Sequence, residues 1–336
     1  MAGLATPGEG GAADVSEVEG EAADLQMLNR DFTKAFARRE SGDFAGARRL
    51  YEKLLAGYEA LEAWEKVADI YQSLGIIAGH QCNHEEAKLY FQKDLQIKVS
   101  KLGKDHVDVA GCYNNLGVEA DEQGEYDEAK AHYQKALEIR LGALGKDHVG
   151  VADLYFNLGN VAKNQGAYDE ANGYYQKVLR IQVSKFGEDH EDVASTYLNL
   201  ATVAGQQSNR EEAKAYLKKA LNVFVNKLGE DHENVATCSF SLGAVAMGQG
   251  EYEEARAHNE KALQIYERTN PGDDPTVKQV RCSLAHCFKS IAEKAAADGE
   301  AAAAAQAFDK AIEHGVLGFD GGFRDWIASI RADLGV

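Results

Sequence analysis

Ten histidines and five cysteines are the residues of this chain with the most chemistry to offer. Four of the histidines, His106, His148, His190 and His232, follow one another at intervals of 42, each closing a Gly-Lys-Asp-His or Gly-Glu-Asp-His string. A zinc site would need such rings to converge to ~2 Å from one ion. If each interval is one structural unit two helices thick, the rings stand at least ~8–10 Å apart. Capping the start of the next helix fits that spacing better. His84-Glu85-Glu86 lacks the second histidine of a zinc-protease helix. Cys82, Cys112, Cys238, Cys282 and Cys287 are odd in number and scattered, with no C-x-x-C pair, as expected of reduced thiols. No Gly-rich phosphate loop follows a strand pattern, and no cysteine and histidine form a nucleophile–base motif. The expectation is therefore no catalysis, no metal, no cofactor and no small-molecule substrate.

The elements that must position these residues are set by internal repetition. The strings begin at Gly103, Gly145, Gly187 and Gly229, each 42 residues after the last, with a looser copy at Gly272. A second marker keeps the same phase: Gln123 to Ala129 recurs as Gln165 to Ala171 and Gln249 to Ala255, with degenerate copies at Gln81 to Ala87 and Gln207 to Ala213. Each unit reads as two helices. Over residues 109–122 the apolar set Val109, Ala110, Tyr113, Leu116, Gly117 and Ala120 recurs every three or four residues. Gly124 supplies the turn, and a second helix starts at about Tyr126 with Ala129, Tyr133, Ala136, Leu137 and Ile139 inward. Neither helix buries its apolar face alone, so the units must stack.

The order Tyr113, Leu116-Gly117, Gly124, Ala129, Tyr133, Ala136 resembles the tetratricopeptide signature. The 42-residue period with its Gly-[Lys/Glu]-Asp-His junction is similar to the longer repeat of kinesin light chains and nephrocystin-like proteins. The resemblance implies an all-α, right-handed α-α superhelix of about seven helix-turn-helix repeats over residues 25–315. At the last repeat, Ala285 to Gly299 is seven residues longer than Gly117 to Gly124, about two turns of helix, so that helix and its packing partner are expected to lengthen. In residues 316–336, Phe323, Trp326, Ile327, Ile330 and Leu334 fall on one helical face and read as a capping helix, or else a dimerisation helix. Residues 1–24 hold six acidic side chains and no Lys or Arg, and read as a disordered tail. No heptads occur there, so the resemblance implies the repeat type and not a motor role.

In this family the first helix of each repeat lines a concave groove that takes an extended peptide or a helix. Position by position, the groove-facing residue before each Leu-Gly pair is Ser73, Asn115, Asn157, Asn199, Ser241 or Ser283. An Asn amide both donates and accepts, which suits a bound backbone. The alternative is that these residues only tie neighbouring helices together. One residue earlier stand Asn114, Phe156, Leu198 and Phe240; one turn later stand Val118, Asn160, Thr202 and Ala244. Phe156 and Phe240 are either apolar anchors for a partner or core. Cations are scarce on this face, with Lys163 set against Asp121, Glu122 and Asp153.

The formal net charge is −18, which repels nucleic acid and anionic lipid. No apolar run reaches the ~18–20 residues of a membrane span, and neither a signal nor a transit peptide is recognisable. The expectation is a cytoplasmic adaptor or scaffold, free or associated with cytoskeleton or cilium, for a neutral to basic protein segment. The competing expectation is a structural subunit held through its convex face and ends.

Overall fold

The structure is a computed structural model, and it describes residues 15–315, apart from 271 and 273, together with residue 332. Among the described residues there are fourteen α-helices and no strand. They form two compact units. The first, up to Lys146, holds α1 (Val15–Glu40), α2 (Phe44–Ala60), α3 (Trp64–His80), α4 (His84–Leu102), α5 (Val107–Glu122) and α6 (Tyr126–Leu144). The second, from Asp147, holds α7 (Val149–Asn164), α8 (Tyr168–Phe186), α9 (Glu191–Gln206), α10 (Arg210–Leu228), α11 (Glu233–Gln249), α12 (Tyr252–Thr269), α13 (Pro275–Ala297) and α14 (Ala301–Gly315). Within each unit every helix packs on the next in the chain, the odd-numbered helix being the first of its pair.

Three-residue turns join the helices of most pairs, and their middle residue takes a positive φ. Gly124 (φ 74), Gly166 and Gly299 do so without strain, but Ser208 (φ 62) stands at the same point. An L-residue in the left-handed region costs ~1–2 kcal/mol, and glycine returns part of this as unfolded-chain entropy. Ser208→Gly is therefore expected to stabilise the fold by about 0.5–1 kcal/mol, read from the urea midpoint.

Between pairs, the junction histidines cap helices as the spacing suggests. Nδ1 of His106, His148, His190 and His232 accepts from the backbone N–H two residues on, at 3.2, 3.0, 3.2 and 3.1 Å. It is the histidine, not the aspartate before it, that makes this bond. Asp274 takes over at the looser copy, accepting from Thr276 N at 2.7 Å and Val277 N at 3.2 Å.

Close approach within a pair rests on a small residue facing a large one. A Cβ placed on Gly117 would lie 2.7 Å from the Tyr133 ring, and one on Gly159 2.8 Å from the Tyr175 ring. Both rings are buried, and Tyr175 is also fixed through its hydroxyl, which donates to Asn160 Oδ1 at 2.6 Å.

The ends depart from expectation. Helix α1 begins at Val15, so residues 15–24, read from composition as disordered tail, are helical; the Ala and Glu that fill much of that stretch favour helix. The earlier part of the tail lies outside the described residues. Helix α13 is 23 residues long, against 16 for α7 and α9, which is the lengthening the sequence predicts. Its partner α14 is described over Ala301–Gly315, and the residues that follow lie, but for residue 332, outside the described ones. The expected helix at 316–336 lies, but for residue 332, outside the described residues.

Candidate functional site

The positions expected to face a groove sit on first helices in both units. Asn114 and Asn115 lie on α5 in the first unit; Phe156, Asn157 and Asn160 on α7, Asn199 on α9 and Phe240 on α11 lie in the second. All seven are half-buried. Their spacing makes this so: each adjoins the fully buried Leu of its helix, Leu116, Leu158, Leu200 or Leu242, or lies within a turn of it. In the second unit, Phe156 and Asn157 line a cleft of ≈ 320 Å³ with Asp153 and Gln182, closed by Ser195 and Thr196 of α9. Phe156 packs edge-on against Tyr175, centroids 5.8 Å apart, and Phe240 likewise leans on the core. Each phenylalanine thus has one face in the core and one outward.

Several of these groups also hold the array. Lys163 Nζ donates to Asn199 Oδ1 at 3.4 Å, and Asn199 Nδ2 donates to Ser195 O at 3.1 Å. In the first unit Arg39 Nη1 donates to Ser73 Oγ at 3.1 Å, tying α1 to α3 in the same way. Asn160 is occupied by the Tyr175 hydroxyl. Asn115 differs: its side chain makes no hydrogen bond among the described residues.

Three of the five cysteines are buried. Burial pushes the Cys112, Cys238 and Cys287 thiols up, Cys238 to about 12, so they stay protonated at neutral pH. Among the described residues no three His, Cys, Asp or Glu side chains are grouped to hold a metal ion. No described helix is long and apolar enough to cross a membrane.

One recurrent feature is not apparent from groove reasoning. Tyr71–Tyr90, Tyr113–His132, Tyr155–Tyr174 and Tyr197–Tyr216 stack across successive pairs with centroids 5.9–6.1 Å apart. Lys93, Lys135, Lys177 and Lys219 lie over the first-helix ring of each, at 5.0, 5.2, 4.8 and 5.2 Å. A cation over a ring contributes ~0.5–1 kcal/mol at exposed sites, so these stacks clamp the two helices of a pair. Their signal was present as a strict 42-residue recurrence of Tyr and Lys. Second helices are also tied to one another: Lys88 reaches Glu128 at 2.7 Å, and Lys214 reaches Glu251 at 2.8 Å and Glu254 at 3.1 Å.

Successive helix pairs, with Gly75, Gly117 and Gly159 each facing a ring and histidine-capped junctions before α5, α7, α9 and α11, define an all-α solenoid of repeated helix hairpins. Models of the tetratricopeptide repeat match residues 90–142, 118–182, 150–226 and 192–268, and a second model of that repeat matches residues 67–108. The matches take in more than half of the chain, which belongs to the tetratricopeptide repeat family. Among solved structures it is similar to BtubC (BKLC) from P. vanneervenii, at 24% identity over 74% of this chain and 94% of that one, TM-score 0.58. A putative kinesin light chain from Podosopora anserina with nearly identical TPR-like repeats matches at 18% identity, 63% and 98% coverage, TM-score 0.52. The apo form of RapI matches at 14% identity, 86% and 97% coverage, TM-score 0.61. At these identities the likeness is one of fold, and it includes the kinesin-light-chain type of repeat. None of the curated proteins matches the chain. Solenoids of this family commonly act as protein-interaction scaffolds and are typically not enzymes.

Proposed function

We propose that the chain is an adaptor that docks a segment of another protein on the face formed by its first helices. The observation that carries this reading is the repeated pairing on that face of an outward apolar residue with a polar neighbour. Phe156 stands with Asn157, Leu198 with Asn199, and Phe240 with Ser241, all half-buried on successive first helices of one unit. Aromatic anchors in partly formed clefts, flanked by groups that bond a backbone, suit an extended peptide or a helix. With a net charge of −18, a neutral to basic segment approaches more easily than an acidic one. Five free cysteines fit a reducing, cytoplasmic setting.

The test is a pull-down from native extract with wild type beside an Asn115→Ala/Asn157→Ala/Asn199→Ala variant. Each neutral hydrogen bond contributes ~1 kcal/mol, so losing two or three should weaken a groove-bound partner by about 30- to 150-fold. A partner retained equally by a folded variant contradicts the reading. The ties Lys163–Asn199 and Arg39–Ser73 favour a second reading, in which these positions serve the array and the chain is a structural subunit gripped elsewhere. Such a subunit would elute from native extract only at large mass, whereas an adaptor would also appear on its own.

A further inference from the structure

The first unit carries a cleft of ≈ 450 Å³ on its first-helix face, between α3 and α5 and above α4, lined on one side by Asn115, Glu119 and Glu122. Glu119 is 6% exposed, an unusual place for a carboxylate. Its Oε2 meets His84 Nδ1 at 2.9 Å. Its Oε1 lies over Gly79, where a Cβ would come to 2.5 Å, so the absence of a side chain on α3 makes room for it. That oxygen has no hydrogen-bond partner among the described residues, and neither has the amide of Asn115 one turn back. Glu122, one turn on and exposed, brings a second carboxylate to the same opening.

The remaining walls are the apolar Ile76, Phe91 and Val118, the last 38% exposed, together with His80, Cys82 and His84. No Lys or Arg lines the cleft. An acceptor-rich end and an apolar passage together match a side chain with an aliphatic stem and a cationic head bearing several donors. A planar guanidinium can bond Glu119 Oε1, Glu122 and Asn115 at once and lie against the Phe91 ring, which a compact ammonium does less well.

We infer that this cleft receives an arginine side chain of the docked partner segment. The inference rests on the adaptor reading and narrows it, since a partner whose bound segment lacks arginine would not engage α3 and α5 in this way. Cys82, exposed at the cleft and among its lining residues, reports occupancy through its rate of reaction with a thiol reagent. Cys282, half-buried on α13 in the other unit, serves as reference.

The probes are the peptides acetyl-Gly-Leu-Arg-Ala-Gly-amide and its citrulline counterpart, isosteric but uncharged, added to the full chain. The expected result is slowed labelling of Cys82 but not Cys282, with the citrulline peptide needing at least about tenfold higher concentration for the same effect. Glu122→Gln should weaken protection, and Val118→Arg, an exposed change that the fold tolerates, should abolish it by filling the cleft from within. Equal protection by both peptides, equal slowing at both cysteines, or undiminished protection in Val118→Arg would overturn the inference. Its failure is separable from failure of the adaptor reading. A partner lost by Asn157→Ala/Asn199→Ala but kept by Val118→Arg removes the arginine cleft and leaves the groove.

Discussion

Gly159→Val should destabilise the second unit by about 3 kcal/mol. Two effects oppose each other at this position. Glycine is a poor helix former, so any side chain in the middle of α7 gains a few tenths of a kcal/mol or more in propensity. Against this, the new Cβ would stand 2.8 Å from the Tyr175 ring, and valine adds two methyls beyond it. The ring cannot yield cheaply, being fully buried and held by its hydroxyl to Asn160 at 2.6 Å. Overpacking of this kind costs ~1–3 kcal/mol, and the upper end applies where the obstacle is a fixed ring. The protein contains its own rescue. In the next repeat the same two positions are Ala201 and Leu217, which pack together in the core. Gly159→Ala/Tyr175→Leu should therefore lie within about 1 kcal/mol of wild type, while Gly159→Ala alone is worse. Urea midpoints of the four proteins form the cycle, and an additive pair of changes would refute the contact.

Lys98→Met should cost the first unit about 3–5 kcal/mol at neutral pH. Asp94 is fully buried, and burial raises its carboxyl above the usual range, against the pull of Lys98 and the Cys112 thiol. Lys98 Nζ lies 3.0 Å away on the next turn of α4, and Cys112 Sγ of α5 donates to Asp94 Oδ2 at 3.1 Å. Removing the cation leaves a buried charge without its counter-ion. The carboxylate can escape by taking a proton, and for a group with an ordinary pKa of ~3.9 this costs about 4 kcal/mol at pH 7. The folded pKa of Asp94 then stands well above the unfolded one, so the folded variant binds more protons than the unfolded chain. Its stability falls as pH rises above about 4, by up to ~1.4 kcal/mol per unit, and is regained on acidification. Other repeats place Ala136, Val178, Ala220 and Ala262 where Asp94 stands. Asp94→Ala/Lys98→Met should thus be near neutral or stabilising. A single variant with wild-type stability and no steeper pH dependence would show that the pair is of no consequence.

The helix pairs, their turns and the histidine junctions are written in the chain because repetition tests each assignment several times over. Tyr126 as the start of a second helix, Gly124 as a turn and His148 as a cap were each supported by copies 42 residues away. The lengthening of α13 followed from the same count. Where no copy exists, local composition misled: residues 15–24 look like a polar tail, yet they continue a helix whose later turns are packed. The candidate face was legible as positions but not as bonds. That Asn199 is held by Lys163, or Asn160 by Tyr175, depends on side chains reaching between helices, which a period along one chain does not encode. The cleft at Glu119 is not legible in the sequence for a different reason. Its signal is a departure from the repeat, Gly79 and Glu119 together, and periodicity averages departures away. The same holds for Asp94, although a lone carboxylate in a column of small apolar residues was there to be seen.

The central claim, that a partner docks on the first-helix face, is tested most directly by site-specific photo-crosslinking in native extract. A photoreactive amino acid is placed at Asn157 or Thr202 on that face, and at Lys218, exposed on the second helix α10. One shared partner is expected to be captured at Asn157 and Thr202 and to be absent at Lys218. Capture of that partner at Lys218, with none at the two first-helix positions, would contradict it.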